Sequence, residues 1–486
     1  MNSTQQKNYI LPIIVMIFLF GMISFITNLA SPMGDILKHQ FDVANWVGTL
    51  GVFANFIAYA VMGYPAGILL QKHGYKKTAM IAISIGFIGV GIQTLSGFTG
   101  DLGFYIYLLG AFVAGFSMCL LNTVVNPMLN RLGGGGNKGN QLIQIGGSFN
   151  SLCGTAVIVL TGLLIPEGIK NAQISNVLPL MYGALGVFAF AFIVIALTNI
   201  PEKSKEQQQS TIASSQYSAL SFRHFILGAI GIFVYVGVEV GIPATYNMYA
   251  TAYTVEQADG IKAEYQKQQS DPEYLAGLKA EDTANDETKN YVKKVLTEDN
   301  LKLATDILEK NASPGLGLAT GIAGTLMTIY WLLMLVGRLL GGAIAARFSS
   351  KQMLTVASSV ACLLILSAIF IPTSIGINVA GIVGSETATI VPFSIVLMIL
   401  CGLCTSVMWG GIFNLAVEGL GKYVAAASGI FMMMVCGGGI LPYVQNLIAD
   451  SLGYIVSYWL VFLGFAYMLY YALIGSKNRS KHIPVE

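Results

Sequence analysis

The sequence predicts an all-α polytopic membrane protein with twelve transmembrane helices in two six-helix bundles, and three observations carry that prediction. Only 10% of the 486 residues are charged and 55% are hydrophobic, whereas a soluble domain carries about 25% charge. The mean hydropathy is +0.67. The few charges are spaced like loops between membrane crossings. A water-exposed globule of this composition would carry large apolar patches, which excludes soluble enzyme folds. A closed β-barrel would show shorter, alternating segments.

Cutting the chain at every Asp, Glu, Lys, Arg and His leaves eleven charge-free stretches longer than twenty residues. They are 8–34, 43–71, 78–100, 102–130, 139–166, 171–201, 311–337, 352–385, 387–417, 423–449 and 451–476. A twelfth, 225–255, is interrupted only by Glu239. Each is long enough for a helix of about 20 residues to cross the hydrocarbon core. The first loosely suits a secretory signal at Leu29-Ala30-Ser31, but it exceeds an apolar core of about 7–15 residues and further spans follow. It reads as a retained first helix.

The segments between the spans set the organisation. Residues 1–200 hold the first six spans, 201–221 form a polar linker rich in Gln, Ser and Lys, and 222–476 hold the second six, followed by a tail at 477–486. Within the second half, 255–312 carries thirteen of the 24 acids and eight lysines. It reads as a water-exposed insert of short amphipathic helices, as in 291–296 and 301–308. Placing both termini in the cytoplasm puts sixteen of the 26 Lys and Arg on inner segments, Arg338 among them, and only Lys38 and Lys170 in short outer loops. That bias orients a bacterial inner-membrane protein. The net charge of +2 averages a basic inner face and an acidic insert, so it implies no nucleic-acid partner.

Other chemistries lack their residues. No Walker A lysine loop, His-Cys cluster or HExxH motif is present, so neither an enzyme nor a metal site is expected. The six cysteines all fall within spans and read as small buried hydrophobes. The two halves carry short echoes of each other. Residues 67–72 match 342–347, and 122–133 match 410–421, which sets Asn126 opposite Asn414. Two similar halves about an inner linker describe a rocking transporter whose site lies between them near mid-membrane.

Glu239 stands out, about fifteen residues into span seven within Tyr235-Val-Gly-Val-Glu239-Val-Gly-Ile-Pro243-Ala-Thr-Tyr246-Asn247. A charge there costs about 2.5–3.5 kcal/mol on insertion scales, so it faces a cavity, holds a partner or carries a proton. Pro243 and the flanking glycines fit a broken helix exposing backbone at a site. Asp35, closing span one, reads equally as an interfacial acid or a cavity-facing carboxylate. Asn122, Asn126, Gln141, Gln144 and Asn150 in spans four and five suit either hydroxyl recognition or interhelical bonds. Trp409 in span ten suits stacking on a sugar ring or simple packing.

Across both halves, apart from the insert, the chain resembles the major facilitator superfamily, and within it the fucose permease and glucose/galactose transporter family of sugar symporters. The landmarks are Gly34-Asp35-Ile36-Leu37, Tyr64-Pro65-Ala66-Gly67-Ile68-Leu69, Asn126-Pro127, Ser148-Phe149-Asn150-Ser151, Tyr235-Val-Gly-Val-Glu239, Gly410-Gly-Ile-Phe-Asn414 through Gly421, and Gly437-Gly-Gly-Ile-Leu-Pro442. The resemblance implies that Asp35 is the first-span acid of sugar binding and proton coupling. It makes Asn150 a cavity asparagine and Glu239 an acid shared with the glucose/galactose branch. The chain departs from the family at Asn122, where an acid is usual and an amide takes up no proton. It departs again at Gln71, Tyr75 and Trp409-Gly410, so it looks like a divergent branch.

The expected function is import of a sugar or sugar derivative by a monomeric, proton-coupled symporter in the lipid bilayer. Sodium coupling, or export of drugs or metabolites on the same fold, are the alternatives. The substrate residues expected are Asp35, Asn122, Asn126, Gln141, Gln144, Asn150, Glu239, Tyr246, Asn247, Trp409 and Asn414, with Asp35 and Glu239 coupling the cation. No cofactor beyond the transported cation is expected.

Overall fold

The computed structural model describes residues 9–41, 50–164, 173–201, 217–282, 295–296, 298–383, 389–480 and 483–485. Eleven helical segments are long and apolar enough to cross a membrane. One of them, Leu50–Ser96, has 47 residues and would be about 70 Å long if straight, more than twice the roughly 30 Å hydrocarbon core. It turns back at Gly74, where φ is 73° and ψ is −177°, a left-handed backbone that glycine adopts without a Cβ clash. This helix therefore carries spans two and three, and the total is twelve.

Span one is Ile10–Gln40, span four Gly103–Leu132, span five Gly136–Leu164 and span six Ile174–Leu197. The second half opens with span seven, Arg223–Thr251, followed by span eight, Thr320–Ile344, and span nine, Ser350–Phe370. Span ten is broken into Phe393–Thr405 and Met408–Val417. At the break the hydroxyls of Thr405 and Ser406 donate to the carbonyls of Gly402 and Leu403 at 3.1 and 2.6 Å, so the freed backbone oxygens are not left bare in an apolar surround. Span eleven joins Val424–Met433 to Gly437–Leu452 through a 3-10 turn at Met434–Cys436, and span twelve begins at Tyr454.

Between spans nine and ten lies a feature that charge spacing does not reveal. Gly376–Asn378 pairs antiparallel with Ile390–Pro392, and the Asn378 side-chain oxygen accepts from the backbone of Ala380 and Thr389 at 3.0 and 3.1 Å. The insert is helical at Val255–Ser270, Pro272–Asp282 and Glu298–Leu308. Of the two amphipathic stretches expected there, 301–308 is helix and 291–294 lies outside the described residues. Thr254 caps the first insert helix, its hydroxyl accepting from Gln257 N at 3.1 Å, a capping box. Ala258 and Ile261 pack on Ala304 and Ile307 in a small core of their own. The returning chain binds the C-terminal end of span seven, with Leu316 N donating to Tyr249 O and Leu318 N to Ala250 O at 2.9 and 2.8 Å. Ser313 Oγ donates to Ala449 O of span eleven at 2.9 Å.

Candidate substrate and coupling site

Glu239 is residue 17 of the 29 in span seven, about 24 Å from one helix end and about 18 Å from the other at 1.5 Å per residue. Its side chain is 12% exposed. One helical turn earlier, Tyr235 lies on the same face and its hydroxyl donates to Oε1 at 2.7 Å. The partner that a carboxylate at this depth requires is Arg338, whose Nη2 meets Oε1 at 3.1 Å and whose side chain is 11% exposed. Arg338 does not stand in an inner loop, as charge spacing alone suggests. It is inside span eight, because Leu339 to Ile344 continue the helix beyond it.

Pro243 explains a second bond. A proline has no N–H to donate to the carbonyl four residues back, which here belongs to Glu239. The Tyr330 hydroxyl of span eight fills that vacancy, donating to Glu239 O at 3.1 Å. Span seven runs as one helix through Pro243 and is not broken there as expected; one backbone bond is lost, and it and the carboxylate are served by the same pair of helices. Among the described side chains, Glu239 is the only carboxylate in the interior of a span.

A chain of neutral amides runs beside this pair. Asn122 Nδ2 donates to the Tyr59 hydroxyl at 2.7 Å, Asn126 Nδ2 to Asn122 Oδ1 at 3.3 Å, and Trp409 Nε1 to Asn126 Oδ1 at 3.0 Å. The last of these joins span ten to span four, across the two halves. The Trp409 ring also meets Tyr235 edge-on with centroids 6.3 Å apart, so the amide chain touches the surroundings of Glu239.

Several other expected substrate residues are engaged between the halves. Gln141 Nε2 donates to Gly342 O at 3.1 Å, and Gln144 Nε2 donates to Val407 O, at the break in span ten, at 2.9 Å. Asn414 accepts from Asn130 and donates to Ser350 Oγ at 2.7 Å and Gly136 O at 3.3 Å. Asn150 remains within the first half, donating to Phe20 O at 2.8 Å. Tyr246 is buried and its hydroxyl has no hydrogen-bond partner among the described residues. Asn247 is half-buried one residue further on. The Asp35 side chain lies outside the described residues, although its backbone belongs to span one.

Two further contacts join the halves. Arg338 Nη1 donates to Gly147 O and Ser151 Oγ of span five at 3.2 and 2.6 Å. Spans two and eleven meet at Gly67 and Gly429, where a Cβ on Gly429 would lie 2.5 Å from Gly63 O and Gly67 N. Gly147 and Ser151 lie near the middle of span five, Gly136–Leu164, whereas Gly67 and Gly429 lie toward the end that carries both chain termini.

Comparison with known proteins agrees with this architecture. A "Glucose/galactose transporter" of Brucella abortus biovar 1 (strain 9-941) is 26% identical over 481 residues, covering 98% of this chain and 97% of that protein. The "L-fucose-proton symporter" of Escherichia coli (strain K12) is 22% identical over 479 residues, covering 93% and 90%. Among solved structures, the E. coli fucose:proton symporter FucP superposes with a TM-score of 0.69 at 19% identity, over 97% of this chain and 100% of that one. The proton:xylose symporter XylE gives 0.64 at 12% identity, over 96% of each. Residues 13–261, just over half of the chain, match the model of the Major Facilitator Superfamily, and with twelve spans in two halves the chain belongs to the major facilitator superfamily.

Proposed function

We propose that this chain imports a sugar or sugar derivative by cation symport, with the proton as the coupling ion and Glu239 as a coupling carboxylate. The observation that carries the reading is the Glu239–Arg338 pair inside the membrane, in a chain that aligns nearly end to end with glucose/galactose transporters. A carboxylate held there against the cost of burial needs a purpose that alternates with its charge. Asn122, Asn126 and Trp409 form a neutral network, so they hold helices or sugar hydroxyls and take up no proton. Asp35 is assigned the second carboxylate role, toward substrate.

The halves, 1–200 and 222–476, rock about the site while 201–221 links them. Both termini lie on the cytoplasmic side of a bacterial inner membrane. The working unit is the monomer.

The test is uptake into proteoliposomes with a panel of neutral hexoses, with pH and sodium gradients imposed separately. Accumulation under the proton gradient alone is expected. Accumulation under the sodium gradient alone replaces the ion, and accumulation under neither overturns symport. Glu239→Gln is expected to abolish accumulation and spare counterflow; unchanged uphill uptake removes Glu239 from coupling.

A further inference from the structure

The segment between spans nine and ten is apolar where a loop in water would be polar. Span nine, Ser350–Phe370, has 21 residues, a length of about 32 Å that matches one hydrocarbon core and sets Phe370 at its boundary. The chain beyond that boundary should turn polar, and it does not. Between 371 and 392 Glu386 is the only charged residue, whereas the 255–312 insert at the same end of the molecule carries thirteen acids. Ile375, Ile377, Ile382 and Ile390 lie in this stretch and all four are exposed, Ile382 and Ile390 to 62% and 66%. In water, exposed apolar side chains on a two-stranded sheet invite pairing with another chain. We propose that residues 375–392 form an interfacial keel of the second half, seated in the bilayer leaflet at the end opposite the chain termini, with lipid covering the isoleucines.

The patch continues surface that lipid already covers. Phe370 is exposed, and its ring meets Trp459 of span twelve edge-on with centroids 5.9 Å apart. Aromatic side chains at the ends of neighbouring spans belong to the belt at headgroup level. Leu363, two turns before Phe370 and so on the same helix face, is exposed as well. The first strand begins at Gly376, a short step beyond this belt. Lipid is therefore the nearest occupant, and an apolar element lying in the interface is held by the apolar area it buries there.

The segment is built for a place where water is scarce. Val379 N donates to Thr389 O, Phe393 N to Ile375 O and Ile382 N to Val379 O, each at 2.8 Å. With the two bonds to Asn378 Oδ1, backbone groups that would otherwise need water are served inside the segment, which lowers the cost of leaving it. Val379 and Val391 are buried in the core of the bundle and fix the segment to the second half. Gly376 has no Cβ to obstruct Ile390, whose side chain lies against it across the pair. The keel is thus apolar both toward the protein and away from it, where a loop in water keeps only the first side apolar.

The test measures how spin labels collide, in proteoliposomes, with two relaxing agents: molecular oxygen, which partitions into lipid, and a nickel chelate, which stays in water. The full chain is used with Cys153 and Cys436, the native thiols that are not fully buried, changed to alanine. Labels are placed singly by Ile382→Cys and Ile390→Cys, with Leu363→Cys as the lipid reference and Lys262→Cys as the water reference; all four positions are exposed, so the substitutions leave the packed core untouched. The labels at 382 and 390 should collide with oxygen as the label at 363 does, and lose the chelate contact that the label at 262 keeps. Chelate contact at both positions equal to that at 262 places the segment in water and overturns the keel. Exclusion of both agents overturns it too: relief on diluting the protein with lipid assigns the patch to a second copy of the chain, and no relief assigns it to cover by the chain itself.

Discussion

The bond between Tyr330 and the backbone of Glu239 exists because Pro243 cannot make it, and that dependence can be measured. Tyr330→Phe removes the hydroxyl that reaches Glu239 O at 3.1 Å and lies 3.4 Å from Thr405 Oγ1. The phenyl ring stays, so packing changes little. A buried carbonyl left without a donor costs about 1–3 kcal/mol, and the expected loss of stability is of that size. In a Pro243→Ala background residue 243 regains an N–H that can close the bond to Glu239 O. There the same Tyr330→Phe change should cost at least about 1 kcal/mol less. Equilibrium unfolding of the four proteins of this cycle in mixed detergent micelles gives the coupling. If the two single effects add within about 0.5 kcal/mol, the sites are independent, and the account of Pro243 as the source of the vacancy is wrong.

Three further outcomes follow from the same geometry. Asp35→Asn should weaken substrate affinity in equilibrium binding, and an unaltered affinity assigns that residue to the outer surface. Gly429→Ala places a Cβ 2.5 Å from the backbone of span two, and overpacking of this kind costs about 1–3 kcal/mol. It should therefore weaken the packing of span two on span eleven and lower stability by that amount in equilibrium unfolding; an unchanged stability would show that the two spans do not press together there. Trp409→Phe removes the donor to Asn126 while keeping a ring against Tyr235, so it should change turnover with little effect on substrate affinity if this bond belongs to the gate. A rise in KM alone would place Trp409 on the sugar instead.

The spacing of charges was enough to read twelve crossings, because each charge buried in lipid is costly and loops collect the rest. The same rule concealed Arg338. Cutting at every charge ends span eight at 337, yet Leu339-Leu340-Gly341-Gly342-Ala343-Ile344 continues apolar beyond it. An unpaired Glu239 one helix away was the signal that a cation belonged inside. The amides show a different limit. Residue type tells that Gln141, Gln144, Asn126 and Asn414 need partners, but a sugar hydroxyl and a backbone carbonyl are equally good acceptors. Their bonds to Gly342, Val407, Trp409 and Gly136 depend on how the halves meet, which no local pattern encodes. The strand pair Gly376–Asn378 and Ile390–Pro392 was hidden for a simpler reason, since neither strand carries a charge to mark a boundary.

The insert's anchoring has a practical consequence. The chain that leaves it, Ser313 to Leu318, is tied to Tyr249 and Ala250 of span seven and Ala449 of span eleven, all in the second half. Among the described residues it is therefore cargo carried by one rigid body and not a strap across the mouth. A fluorophore on an exposed residue of that cap, such as Lys262, would swing with its half like the needle of a gauge. Paired with a second dye on the first half, it would let the transport cycle be watched from outside the membrane, one molecule at a time, without a probe inside the substrate path.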